Sequence, residues 1–162
     1  MIAKASEKIS LFAKWFAGAG LLLMTAIIAW QVFARYVLNA SPSWAEQAAL
    51  LLMIWYVMFA AAAGVREGFH IRINVFVGSL PETGQKVVRF IAHAITGLFG
   101  VAMAYWGIDL VRETWQHVIP TLGISRGYAY VPLPIAGVLI AFFALEHLVA
   151  DVRDVPVRKL WN

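Results

Sequence analysis

Long runs without charge alternate with short polar stretches along this chain. Residues 15–34 carry no Asp, Glu, Lys or Arg, and none falls between Glu46 and Arg66 or between Arg89 and Asp109. An apolar run of about 20 residues is what a helix needs to cross about 30 Å of hydrocarbon. These runs predict membrane helices over about 9–37, 44–65 and 80–117. A fourth, over about 131–150, opens on Val131-Pro132-Leu133-Pro134, where proline fits because first-turn amides lack helical partners. The third helix is longer than a bilayer is thick, so it should tilt or extend into an interface.

Between the runs lie turn signals. Asn39, Ser41 and Pro42 mark a tight connection. Ser43 followed by Glu46 fits a capping box at the start of the second helix, with Glu46 also in reach of Arg35 across the turn. Ser79-Leu80-Pro81-Glu82 reads as another helix start. Residues 70–77 alternate polar and apolar, a strand period. A lone strand leaves its backbone unsatisfied in lipid, so this segment is expected to lie at the interface. Residues 119–130 read as a loop containing Pro120 and Gly123. Two small-residue stretches predict close helix contact: residues 60–64, and Ala92, Thr96, Gly100 and Ala104 spaced four apart.

Composition agrees with the pattern. The chain is 62% hydrophobic and 14% charged, with mean hydropathy +0.75; a soluble domain carries about 25% charged residues. The fold class is therefore an all-α integral membrane protein, a single four-helix domain over residues 1–162. The first helix is expected to be retained, because its apolar run exceeds the ~7–15 residues of a signal peptide. Lys4, Lys8, Lys14, Arg66, Arg72, Lys86, Arg89, Arg153, Arg158 and Lys159 fall on one predicted side, against Arg35, Arg112 and Arg126 on the other. This bias places both termini in the cytoplasm. Trp15, Trp44, Trp106, Trp115 and Trp161 lie near predicted span ends, where amphipathic rings prefer to sit.

Candidate chemistry is sparse. The net charge of +4 is spread along membrane edges, which does not suggest nucleic acid. The absence of cysteine removes thiolate nucleophiles and Cys-ligated metals. No phosphate loop, nucleophile–base pair or metal-ligand cluster is evident, so neither an enzyme nor a cofactor is expected. Glu46 is read as a structural acid rather than an ion ligand, and Glu46→Ala is expected to weaken assembly or stability, not ion affinity. Arg35, Trp44 and Glu46 would fix one hairpin. Arg66 and His70 would anchor the opposite connection, on lipid phosphate in one reading. Asp109 and Glu113 share a face, as a solvated helix end. His93 and His147 fall at similar depth, which raises an alternative: a haem-binding electron-transfer subunit. Mid-membrane charge is missing from every predicted span, and transport sites usually need it or a broken helix. That points to a scaffold subunit with a partner.

The chain also resembles a known family, the small membrane (Q) subunit of tripartite ATP-independent periplasmic (TRAP) transporters. The resemblance is carried by Arg35-Tyr36-Val37-Leu38-Asn39, Ser43-Trp44-Ala45-Glu46-Gln47, Gly64-Val65-Arg66-Glu67-Gly68-Phe69-His70-Ile71 and Pro120-Thr121-Leu122-Gly123-Ile124-Ser125, followed by Tyr130 and Pro132-Leu133-Pro134. Gln47 stands where that family often has a second acid, which leaves a paired-carboxylate role there unsupported. The resemblance implies a bacterial inner-membrane system for sodium-driven uptake of an organic acid. Its partners would be a large multi-span transport subunit, a periplasmic substrate-binding protein and membrane lipids. The small subunit would brace the large one and help dock the binding protein.

Overall fold

The computed structural model describes residues 2–68 and 81–153. Its elements are α1 (Ile2–Tyr36), α2 (Ala45–Glu67), α3 (Glu82–Thr114), an antiparallel pair β1 (Val118–Ile119) and β2 (Ile124–Ser125), a single turn α4 (Gly127–Tyr130) and α5 (Pro132–Val152). Among the described residues four helical stretches are long and apolar enough to cross a membrane: α1, α2, α3 and the joined α4–α5. This is a multi-pass membrane protein. The segment expected at the interface over 70–77, with His70, lies outside the described residues, as does Trp161.

Helix ends depart from the sequence expectation for local reasons. α1 begins at Ile2, about two turns earlier than expected. Its early polar residue Ser6 is fully buried and bonded to Arg66 and Glu146 of other helices, so the first turns are held by polar partners that apolar periodicity does not register. The capping box does not form. Trp44 precedes α2 in a helical conformation (φ −81°, ψ −24°) and no side chain caps the helix. A capping hydroxyl needs an extended residue at that position, whereas a turn from Pro42 to Ala45 winds the backbone into the helix beforehand. α2 runs on to Glu67, where Gly68 at φ 73° donates to the carbonyls of Gly64 and Val65. A left-handed glycine is a common helix stop, and here it keeps Arg66 and Glu67 helical. α3 stops at Thr114 rather than at His117, because the chain turns into β1–β2, pairing Val118 with Ser125 and Ile119 with Ile124. α4 adds one turn before the prolines of α5, and Pro132 occupies the first turn of α5 as expected.

The helices pack mainly in the row α1–α2–α5–α3. Ala62 and Val65 of α2 meet Ala136, Ile140 and Phe143 of α5, and Ala63 and Phe59 of α2 meet Ala13 of α1. The alanine-rich end of α2 thus makes contacts on both sides, as its small side chains allow. Between α3 and α5 the backbones touch. A Cβ at Gly100 would lie 2.7 Å from the Ala141 nitrogen, and one at Gly137 would lie 2.6 Å from the Ala104 nitrogen. The predicted ridge on α3 is therefore used where Gly100 and Ala104 cross α5. Large apolar side chains remain exposed on the outer helices, including Phe12, Trp15 and Leu22 on α1 and Leu98, Phe99 and Trp106 on α3.

Candidate functional site

Polar side chains from four helices converge at one end of the bundle. Arg66, in the last turn of α2, is only 2% exposed. Its Nε donates to Ser6 Oγ of α1 at 2.8 Å and lies 3.7 Å from Glu146 Oε2 of α5. Its Nη1 is 3.5 Å from Glu67 Oε1. Ser6 in turn donates to the Glu146 carboxylate. Lys14 Nζ of α1 reaches Glu67 Oε1 at 2.8 Å. Two cations and two carboxylates thus balance within one buried group, as buried charge requires.

A second group adjoins it. His147 of α5 lies with Nε2 2.9 Å from the Arg66 carbonyl. A carbonyl only accepts, so Nε2 carries the hydrogen and donates. The bond fills one of the carbonyls that a helix C-terminus leaves unpaired. His93 of α3 places Nδ1 2.6 Å from Asp151 Oδ2, and Arg89 Nε is 3.8 Å from Asp151 Oδ1. The His93 and His147 rings stack at a centroid distance of 4.7 Å and an angle of 15°. Through these contacts α1, α2, α5 and α3 are joined in the order in which they pack.

The stack decides the haem alternative. Two histidines that ligate one iron stand on opposite faces of a porphyrin. Here the rings lie against each other, leaving no room for a macrocycle. One nitrogen of each is already engaged, by Asp151 and by the Arg66 carbonyl. These residues do not fit haem. Among the described residues no group of three or more His, Asp or Glu side chains is placed to hold a metal ion.

The predicted site residues separate. Arg66 is buried inside the bundle and does not face lipid. Arg35 and Glu46 are exposed at the opposite end. Arg35 Nε reaches Ser41 Oγ at 3.4 Å, and no ion pair joins it to Glu46. Trp44 is 41% exposed beside the start of α2. Asp109 pairs loosely with Arg112 at 3.4 Å on an exposed surface. The sequence reasoning overlooked Glu146, Ser6 and the pairing role of Lys14. Glu146 carried a usable signal, since an acid inside an otherwise apolar helix usually has a named partner.

Residues 24–154 match the family model described as tripartite ATP-independent periplasmic transporters, DctQ component. The chain belongs to this family. The matched region holds Arg66, Glu67, His93, Glu146, His147 and Asp151, while Ser6 and Lys14 precede it. This DctQ-family chain is 28% identical over 126 residues to the sialic acid TRAP transporter small permease protein SiaQ of Vibrio cholerae, covering 77% of this chain and 72% of that one. It is 26% identical over 105 residues to the C4-dicarboxylate TRAP transporter small permease protein DctQ of Rhodobacter capsulatus, covering 64% and 46%. It is also 26% identical over 150 residues to the isethionate TRAP transporter permease protein DctMQ of Oleidesulfovibrio alaskensis, covering 88% of this chain but 24% of that one. As a TRAP small permease subunit, the chain is part of a transporter.

Proposed function

We propose that this subunit braces a large multi-span transport subunit in the bacterial inner membrane, with both termini cytoplasmic, and helps dock a periplasmic substrate-binding protein. The assembly takes up an organic acid, driven by sodium, and the small subunit performs no catalysis and binds no cofactor. One observation carries the bracing role. Among the described residues the buried polar side chains, Ser6, Ser10, Arg66, Glu67, His93 and His147, gather at one end of the helices. A solute path needs polar groups or broken helices near the bilayer midplane, and among the described residues the mid-span packing is apolar. The path therefore belongs to another subunit.

Three further points support the reading. The Oleidesulfovibrio relative is a single, much longer chain whose name joins M and Q, consistent with side-by-side packing of a small and a large component. Sialic acid, C4-dicarboxylates and isethionate, named for the relatives, are all organic anions at neutral pH. The outer faces of α1 and α3 offer apolar surface for a partner or lipid. Docking falls to the end holding Arg35, Trp44, Glu46 and the β1–β2 hairpin, where charges are exposed.

The test is to tag the chain in its native membrane, extract it in mild detergent and identify what co-purifies. A larger multi-span protein is expected. Deletion of this chain should abolish uptake of an organic acid that depends on both sodium and a binding protein. Recovery of the chain alone, or solute transport by this chain alone in liposomes, would sink the proposal.

A further inference from the structure

A groove runs between α3 and α5 beside the ionic cluster. Phe90 forms one wall, and Leu148, Val149 and Val152 form the other, with Arg153 at its end. Its volume is about 330 Å³. From its position and chemistry we infer that this groove binds one anionic phospholipid, with an acyl chain along the apolar walls and the phosphate on Arg153 and Arg89.

The walls supply the first half of the site. Phe90 is 46% exposed, Val149 43% and Val152 74%, so the groove offers apolar surface that no described residue covers. An acyl chain needs no polar partner there. The rim supplies the second half. Arg153 follows the last helical residue of α5, where the apolar run stops. It is exposed and makes no side-chain hydrogen bond or ion pair among the described residues. Arg89 adjoins Phe90 in the chain, and its side chain stays 43% exposed while it lies 3.8 Å from Asp151. The Asp151 carboxylate is shared with His93, so among the described residues two guanidinium groups face one carboxylate at the rim. Basic pockets between membrane helices suit anionic headgroups. A neutral zwitterionic lipid would fill the same walls but gain less from two guanidinium groups. Lipid binding here requires only that the groove lie at a membrane edge, whichever solute is carried and whichever subunit is the partner.

The experiment uses the full chain in neutral detergent, titrated separately with phosphatidylglycerol and phosphatidylcholine, with bound lipid counted by native mass spectrometry. One phosphatidylglycerol should be retained in preference to phosphatidylcholine. Arg153→Ala should weaken phosphatidylglycerol about fivefold, the effect of roughly one surface cation, and leave phosphatidylcholine unchanged. Val149→Trp, which fills the groove and keeps the charges, should weaken both lipids. Elution volume and helical circular dichroism would establish that each variant is folded. Equal retention of the two lipids by the unaltered chain would overturn the proposal. So would full phosphatidylglycerol binding by Val149→Trp, which would reduce the effect to surface attraction. Displacement of the lipid by inorganic phosphate at equal concentration would mean that the acyl chain adds nothing, and would overturn it as well. Binding seen only after deletion of residues 154–162 would mean that the chain's own tail takes the groove, and would likewise overturn it.

Discussion

The two ends of this bundle are built by different means. At one end, charged side chains of residues far apart in the chain hold the helices together, with Arg66 between Ser6, Glu67 and Glu146. At the other, the ties are backbone and aromatic. Trp55 Nε1 donates to the Tyr128 carbonyl at 3.0 Å, Ser125 Oγ donates to the Trp115 carbonyl at 2.6 Å, and Trp115 packs on Tyr128. Charges there, such as Arg35, Glu46 and Arg112, are exposed. A buried ion pair adds little net stability, because desolvation offsets the attraction, yet removing one partner is severe. The first end therefore fixes which helix faces meet, at high cost if broken. The second end can change its charges with little effect on folding.

The polar end is most sensitive at Arg66. Arg66→Ala leaves Glu67 and Glu146 buried without their shared cation and should cost about 3–5 kcal/mol. Loss of monodisperse protein, or a large fall in melting temperature in detergent, would show it. An unchanged melting curve would mean that the cluster does not hold the fold. Next comes Gly137→Ala. Its new methyl would sit 2.6 Å from the Ala104 nitrogen, and forcing the backbones apart should cost about 1–3 kcal/mol. Thermal unfolding would measure it, and a neutral result would refute direct backbone contact between α3 and α5. His147→Phe keeps a ring on His93 but removes the donor to the Arg66 carbonyl, so a loss of about 1–2 kcal/mol is expected. Chemical unfolding of the variant against the unaltered chain would read the difference, and a stabilised variant would argue against that hydrogen bond. Glu46→Ala should be the smallest. With no cap bond to lose, its melting temperature should stay with that of the unaltered protein. Any effect would then appear in partner recovery, measured by pull-down. A marked drop in melting temperature would restore a structural role to Glu46.

The spans were legible because lipid imposes a simple rule: a helix crossing it must be apolar for long enough, and residues 15–34 or 90–108 meet that rule by composition alone. Packing through small residues was legible at Gly100 and Ala104 for a related reason, since only small side chains let helices touch. The cluster was not. Ser6 and Glu146 are 140 residues apart, and Arg66 and Ser6 are 60 apart, so no local pattern links them. Lys14 and Arg66 read equally well as membrane-edge charges, and only the packing order assigns them partners. The missing capping box makes the converse point. Ser43 and Glu46 have the right spacing, but the turn at Pro42 sets the backbone first.

The row α1–α2–α5–α3 also has a consequence for synthesis. α1 meets its chief partner as soon as α2 leaves the ribosome, so an early hairpin can form in the bilayer. α3 is made before α5, the helix against which it mainly packs. It must therefore wait among lipids, held by its own apolar length, although it is the least apolar of the four spans. Helices that are stable alone can insert first and associate later. For α3 that interval ends only when the last span arrives and slides between it and α2.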